Sequence, residues 1–325
     1  MASTNVVAAA AAADEVAVEL LPFIRVYASG RLERLLGTDT VDASLDESTG
    51  VASKDVTVDT LTGLSVRLYL PAAVAAGEKL PILVYFHGGG FIVESAASPT
   101  YHHYLNEVTS RAHVIAVSVE YRRAPEHPLP AAYDDSWAAL AWAVAGAALG
   151  GGTEPWLVAH GDASRVFLAG DSAGANIAHN VAMRAQGHPL LSGVGITGVL
   201  LVHPFFWDAS NTTTPELEER IRREWTFMCG SPDAHVDDAR LSPTAPGAPP
   251  MTALPCKRLM VAVANDDFLA AKGRAYHAAL SASRWCGEAE LVDTPGETHV
   301  FHLLQPMTES AAAMMDVVVA FLTRA

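Results

Sequence analysis

Five short apolar runs constrain this chain more than any other feature. They are Ile82-Leu83-Val84-Tyr85-Phe86, Val114-Ile115-Ala116-Val117-Ser118-Val119, Val166-Phe167-Leu168-Ala169, Val199-Leu200-Leu201-Val202 and Leu259-Met260-Val261-Ala262-Val263. A strand with one wet face alternates polar and apolar residues; a strand covered on both faces runs apolar almost without a break. Helical patterns separate several runs, at Pro130 to Ala145, Ala173 to Gln186 and Leu269 to Ser283. Each opens near Pro, Asp or Ser and carries apolar residues at helical spacing. Strands alternating with helices need right-handed crossovers, so the expected class is α/β, a mostly parallel central sheet with helices on both faces.

The flanking segments read differently. Val56 and Val58 alternate with polar residues, as does Leu64 to Leu70, so this pair predicts an antiparallel hairpin around Thr62-Gly63 with one wet face. Residues 1 to about 50 read as an appended N-terminal segment, Ala-rich and helix-forming up to Pro22, with a turn at Ser29-Gly30. Between Pro204 and Pro255 the alternation stops. That stretch holds Trp207, an amphipathic helix candidate from Pro215 to Met228 with Trp225 inside it, and the Pro-rich run Pro243 to Pro250. It is too long for an ordinary loop, and a cap over the sheet is the expected role. A length of 325 residues could hold two domains, but no linker divides the core. The expectation is one domain over residues 1–325, with an N-terminal cap segment at 1–50 and an internal cap at 204–255.

Composition excludes several partners. Half the residues are hydrophobic and 18% are charged, enough for a sizeable core and unlike a disordered chain. With 21 Lys and Arg against 36 Asp and Glu, the net charge of −15 argues against nucleic acid and anionic membrane surfaces. Cys229, Cys256 and Cys286 form no CxxC pair, so neither a zinc site nor a disulfide framework is expected. The apolar run Val6 to Ala13 has no Lys or Arg ahead of it and is closed by Asp14 and Glu15, unlike a secretory or transit signal. No segment approaches the roughly 20 apolar residues of a membrane span. A cytoplasmic protein is expected, with the sequon Asn211-Thr212-Thr213 a chance match.

The strongest local signal is Gly170-Asp171-Ser172-Ala173-Gly174, directly after one apolar run and ahead of a helical pattern. This is a G-x-S-x-G nucleophile elbow in the strand–turn–helix context the motif requires. The glycines allow a tight turn that lifts the Ser172 hydroxyl above the sheet, beside a helix N-terminus that favours developing negative charge. The competing reading is a small-residue turn with a capping serine. His87-Gly88-Gly89-Gly90-Phe91 follows the first run, where an oxyanion loop belongs. Backbone N–H groups of Gly89 and Ala173, with Gly88 or Gly90, are the candidate oxyanion donors.

A serine nucleophile needs a base and an orienting acid, and this fold class orders them Ser, acid, His along the chain. Downstream histidines are His203, His235, His277, His299 and His302. His299, among small and polar residues from Gly296, suits an exposed loop and is favoured over His302. The run ending at Ala264 leads into Asn265-Asp266-Asp267, and Asp267 is favoured over Asp266 as the acid. Helix capping is the alternative role for either aspartate.

With these motifs the chain resembles the plant carboxylesterases of the hormone-sensitive-lipase-like (GDXG) family of α/β-hydrolases, a group that includes gibberellin receptors and hydroxyisoflavanone dehydratases. The likeness is carried by His87 to Phe91, Gly170 to Gly174, Tyr121-Arg122-Arg123-Ala124-Pro125-Glu126-His127-Pro128, Pro130-Ala131-Ala132, Pro22-Phe23-Ile24-Arg25, Arg31-Leu32-Glu33-Arg34 and Gly50 to Asp55. It covers nearly the whole chain. The family's acid pattern A-x-x-D-x-L lands on Ala264, Asp267 and Leu269, and its G-x-x-H-x-F on Gly296, His299 and Phe301. One departure is Asn265-Asp266, where relatives often carry Glu-Lys. The resemblance implies a serine carboxylesterase acting on small to medium esters through an acyl-enzyme, with no metal or organic cofactor. A dehydratase-like lyase and a hormone-binding protein are the alternatives; the receptors lack the catalytic His, which is present here as His299. Phe91, Phe205, Trp207 and Trp225 are candidate pocket residues, each weighed against plain core packing.

Overall fold

The computed structural model describes residues 15–149, 154–188, 190–191, 193–208 and 214–324. The Val6–Ala13 run, Gly150–Gly152 and the sequon at Asn211 lie outside the described residues. Among the described residues the main sheet has eight strands. They are β4 (Val51–Asp59), β5 (Leu64–Pro71), β6 (Leu80–Phe86), β7 (Ile115–Glu120), β8 (Gly161–Asp171), β9 (Ile196–Val202), β10 (Arg258–Ala264) and β11 (Glu288–Thr294). Their spatial order is β11-β10-β9-β8-β6-β7-β5-β4. From β11 to β7 every pairing is parallel, and β5 and β4 add an antiparallel edge. The expected α/β class is what the chain adopts.

The apolar runs have no polar face because both faces are covered. Val84, Phe86, Val117, Leu168, Leu201 and Val261 point into one core. It is closed by α2 (Ala131–Leu149), α4 (Ala173–Gly187) and α6 (Ala270–Ala282), through residues such as Leu140, Ile177 and Leu280. The alternate residues Tyr85, Ala116, Phe167, Leu200 and Met260 face the other core. There they meet α1 (Pro99–Ala112) and α8 (Glu309–Thr323), through Leu105, Val108, Val318 and Phe321. The remaining helices are α3 (Pro155–His160), α5 (Pro215–Cys229) and α7 (Phe301–Leu304).

Two expectations are corrected. Among the described residues, the chain before Pro22 is not helical: Val16–Leu20 forms β1, which pairs with β2 (Ile24–Tyr27), itself paired with β3 (Leu32–Arg34). The local Val-Ala-Val-Glu-Leu sequence alternates with period two, the spacing of a strand. The β4–β5 hairpin forms, but β5 has no wet face: Arg67 is buried, its charge met by both Asp55 carboxylate oxygens at 2.7 and 2.8 Å and by the Val41 carbonyl. A buried guanidinium is tolerated where its donors are met in this way.

The helix expected at 215–228 is well signalled. Thr214 caps it by accepting the Leu217 N–H, Pro215 opens it, Glu216 and Glu218 lie in its first turn, and Gly230 ends it with φ 60°. The three cysteines are unpaired, and among the described residues no helix is long and apolar enough to cross a membrane.

Candidate active site

The elbow is built by steric exclusion. Ser172 sits between β8 and α4 with φ 52° and ψ −117°, a conformation that costs a non-glycine residue about 1–3 kcal/mol unless its surroundings impose it. Those surroundings are explicit. The Ser172 N–H donates to the Val202 carbonyl at the end of β9, and the Ser172 carbonyl accepts from Phe205 and Asn176. A Cβ on Gly174 would lie 1.9 Å from the Phe86 carbonyl oxygen, and one on Gly170 would lie 2.4 Å from the Gly174 backbone. Only glycine lets the turn pass this close to β6.

Around Ser172 the chain assembles an acid and an imidazole from two separate loops. His299 Nε2 lies 2.9 Å from Ser172 Oγ, and His299 Nδ1 lies 2.6 Å from Asp267 Oδ2. The second contact puts the proton on Nδ1 and leaves Nε2 to accept from the serine hydroxyl. Asp267 is buried, and its other oxygen accepts the Leu269 N–H at 2.9 Å. Capping and orienting are thus done by one carboxylate, one oxygen each. Asp266 is exposed and meets Asn265, not the imidazole. His302 is buried with neither ring nitrogen partnered, and burial pushes its pKa down to about 3. His277 is half-buried beside Ser281, and His235 lines a separate groove with Asp237 and Asp238. His203 approaches the site from behind and accepts the Val300 N–H at 2.9 Å.

The glycine loop is held from below. His87 is fully buried, stacked on Tyr121 at 4.1 Å, and kept neutral by burial, which pushes its pKa down to about 3. The Gly88 N–H donates to Tyr101 Oη at 2.8 Å, so this candidate oxyanion donor is already committed. Among the described residues the N–H groups of Gly89, Gly90 and Ala173 have no protein acceptor. Tyr101 in turn donates to Asp171, as does Tyr85, each at 2.9 Å. This relay ties the elbow to the glycine loop, and burial raises the Asp171 pKa to about 6. Motif matching alone passes over Asp171; the available signal is an acid at the end of an otherwise apolar strand.

Ser172 and His299 open into a cavity of about 370 Å³ with mainly apolar walls. Phe23 reaches it from the N-terminal segment, Met228 from α5, Phe205 from the chain after β9 and Phe268 from the chain after β10. Of the four aromatic candidates only Phe205 lines it. Phe91, Trp207 and Trp225 are fully buried and belong to the core. Phe91 stands edge-on to Phe205 and Trp225, with centroids 6.5 and 6.4 Å away, so it backs the wall instead of forming it. Polar side chains interrupt the apolar lining, among them Glu94, Thr100 and an Arg220–Glu224 pair on α5 at 2.7 Å. His203, Asp267 and His299 bring ligand-type atoms within 4.8 Å of one another. Those groups are engaged, however, in the Asp267–His299 contact and the Val300 hydrogen bond.

This arrangement offers a hydroxyl nucleophile with an oriented base and free backbone donors beside it. Residues 83–303 match a family described by the alpha/beta hydrolase fold. The chain belongs to that family, and it is an α/β-hydrolase of the carboxylesterase type. It is 45% identical over 313 residues to probable carboxylesterase 13 of Arabidopsis thaliana, covering 92% of this chain and 95% of that protein. It is 48% identical over 314 residues to the chloroplastic tuliposide A-converting enzyme 1 of Tulipa gesneriana, covering 95% of this chain and 78% of that protein. Among solved structures, the thermostable metagenomic carboxylesterase EstE1 superposes with a TM-score of 0.68 at 26% identity, over 87% of this chain and 90% of that one.

Proposed function

We propose that Ser172, Asp267 and His299 form the catalytic triad of this carboxylesterase. The observation that carries the proposal is the continuous contact from Asp267 through His299 to Ser172 at the mouth of the apolar cavity. His299 takes the Ser172 proton as the hydroxyl attacks the ester carbonyl, and Asp267 stabilises the imidazolium that forms. The developing oxyanion is received by the N–H groups of Gly89, Gly90 and Ala173. His299 then protonates the leaving alcohol, and afterwards activates the water that releases the acid from the acyl-enzyme.

The cavity selects the substrate. A volume of about 370 Å³ suits a small to medium ester whose acyl or alcohol part is mostly apolar. Residues 1–50 and 204–255 serve as caps in this reading, supported by Phe23, Leu36, Arg220 and Met228, which reach the cavity from those segments. The paired imidazole favours an enzyme over a hormone-binding relative that lacks this histidine. Turnover of p-nitrophenyl esters of increasing chain length tests the proposal. Wild-type protein should hydrolyse the short esters fastest, and Ser172→Ala should fall to background. Near wild-type turnover by Ser172→Ala would sink the triad assignment.

A further inference from the structure

His299 is anchored by little of its own loop. Among the described residues, apart from bonds to the α7 turn that follows, two hydrogen bonds tie the backbone of residues 297–300 to the rest of the protein: Asp266 N–H to the Glu297 carbonyl, and Val300 N–H to the His203 ring. The second lies at the residue next to His299. Val300 also carries the strain of the turn, with φ 50° and ψ 31°, a left-handed conformation that a β-branched side chain resists. Its carbonyl accepts from Leu303 and Leu304, which starts α7, so Val300 is held at both ends. Strain of this kind persists where the surroundings over-determine it.

His203 is itself rigidly placed. It follows β9 with φ 47°, and its N–H donates to the Ala262 carbonyl of β10 at 2.8 Å. The preceding residue, Val202, gives its carbonyl to the Ser172 N–H. One short segment therefore holds the nucleophile with its backbone and the histidine loop with a side chain. The ring is buried against His299, Phe301 and His302, with centroids 5.5 to 5.9 Å away.

We propose that His203 is a positioning residue: its Nδ1 accepts the Val300 N–H and fixes the His299–Val300 turn in the geometry where His299 meets Ser172 and Asp267 together. The inference rests on the triad reading above. An accepting Nδ1 requires the neutral Nε2–H tautomer, since a protonated Nδ1 would oppose one N–H to another. Its titratable neighbours are Asp267, His299 and His302; burial and the two histidines outweigh the carboxylate and push the His203 pKa down to about 3. The acceptor is therefore intact across the working range of an imidazole base.

Three variants test this. His203→Asn keeps an acceptor near the Nδ1 position, whereas His203→Phe and His203→Leu fill the space without one. A short p-nitrophenyl ester gives kcat and KM, and thermal melting reports folding. The two acceptor-less variants should lose about 10- to 100-fold in kcat with KM nearly unchanged, because the base is displaced and the cavity is not. His203→Asn should recover most of the rate. Equal kcat in His203→Phe would overturn the proposal, as would equal losses in the Asn and Phe variants. So would failure of both acceptor-less variants to fold, which would make His203 a folding element. Fluorophosphonate labelling of Ser172 in the wild type separates the two layers: no labelling defeats the triad assignment, whereas labelling with an indifferent His203→Phe defeats this inference alone.

Discussion

Replacing Gly174 with alanine tests how tightly the elbow and the glycine loop are bound to each other. The added Cβ would stand 1.9 Å from the Phe86 carbonyl oxygen, 2.6 Å from the Phe86 carbonyl carbon and 2.7 Å from the His87 carbonyl oxygen. Carbon–oxygen contacts below 3.0 Å are essentially never seen, so α4 and the end of β6 must separate by about 1.1 Å at the closest point. Every atom in the way is backbone, so no side-chain rotation relieves the clash. Overpacking of this kind costs about 1–3 kcal/mol, a fall in melting temperature of about 2–5 °C for a chain this long. The activity loss should be larger than the stability loss. The displaced segment leads into Gly89 and Gly90, and a misplacement of ~1 Å at a reacting centre costs about 100-fold. Gly195→Ala is the control, because nothing lies within 4 Å of its Cβ and such surface changes stay within about 0.5 kcal/mol. The assay is kcat/KM on a short p-nitrophenyl ester alongside differential scanning fluorimetry. A Gly174→Ala protein with wild-type kcat/KM and melting temperature would refute the claim that this glycine sets the oxyanion geometry.

Further outcomes follow from the same contacts. Asp267→Asn should cut kcat by about 10³–10⁴-fold with little change in KM, because an amide can donate to His299 and favour the wrong tautomer; a loss under about tenfold would contradict the orienting role. Burial pushes His87, His179, His203 and His302 down to about 3 in the folded chain, against 6.5 unfolded. Their stabilisation is therefore present above pH 6.5 and is lost as the pH falls through that window, while Asp171, raised to about 6, opposes it by gaining stability as the pH falls from about 6 to 4. The four histidines outnumber the one aspartate, so their combined contribution to stability should fall as the pH drops from about 6 to 4, measurable as the urea midpoint. His302→Phe should flatten that slope by about one proton, since neither ring nitrogen has a partner to lose; an unchanged slope would contradict the buried neutral state. Ser172→Gly should melt at or above Ser172→Ala, because both lose the hydroxyl and only glycine relieves the φ of 52°; a clearly lower melting temperature would argue against strain at the elbow.

What could be read from the chain in advance was local. The elbow occupies five residues and the glycine loop four, and each follows its own strand, so strand–turn–helix chemistry is written where it acts. The five buried runs announced the sheet because a short strand that is apolar throughout has no face to offer water and must be covered on both sides. Features set by distant partners were not legible. α1 carries Tyr101, Tyr104, Leu105 and Val108 inward, among histidines and polar residues that blur its period. The Gly88 N–H could be withdrawn from the oxyanion candidates only once Tyr101 was seen beside it. For Phe91, Trp207 and Trp225 the sequence left pocket wall and core packing both open, because it cannot distinguish a wall from the packing behind it. Arg67 broke the wet-face expectation because its counterion, Asp55, lies across the hairpin. His203 follows an apolar run like any strand-end residue, and only the fold brings it to Val300.

The central claim is that Ser172 becomes acylated during turnover. Mixing the protein with excess p-nitrophenyl ester, quenching in acid and mapping the peptides by mass spectrometry reads that step directly. The expected result is one acyl group per chain, carried by the peptide that contains Ser172, appearing with a burst of p-nitrophenol and absent from Ser172→Ala. Sustained hydrolysis without an adduct on that peptide, or the same adduct on another residue in Ser172→Ala, would contradict it.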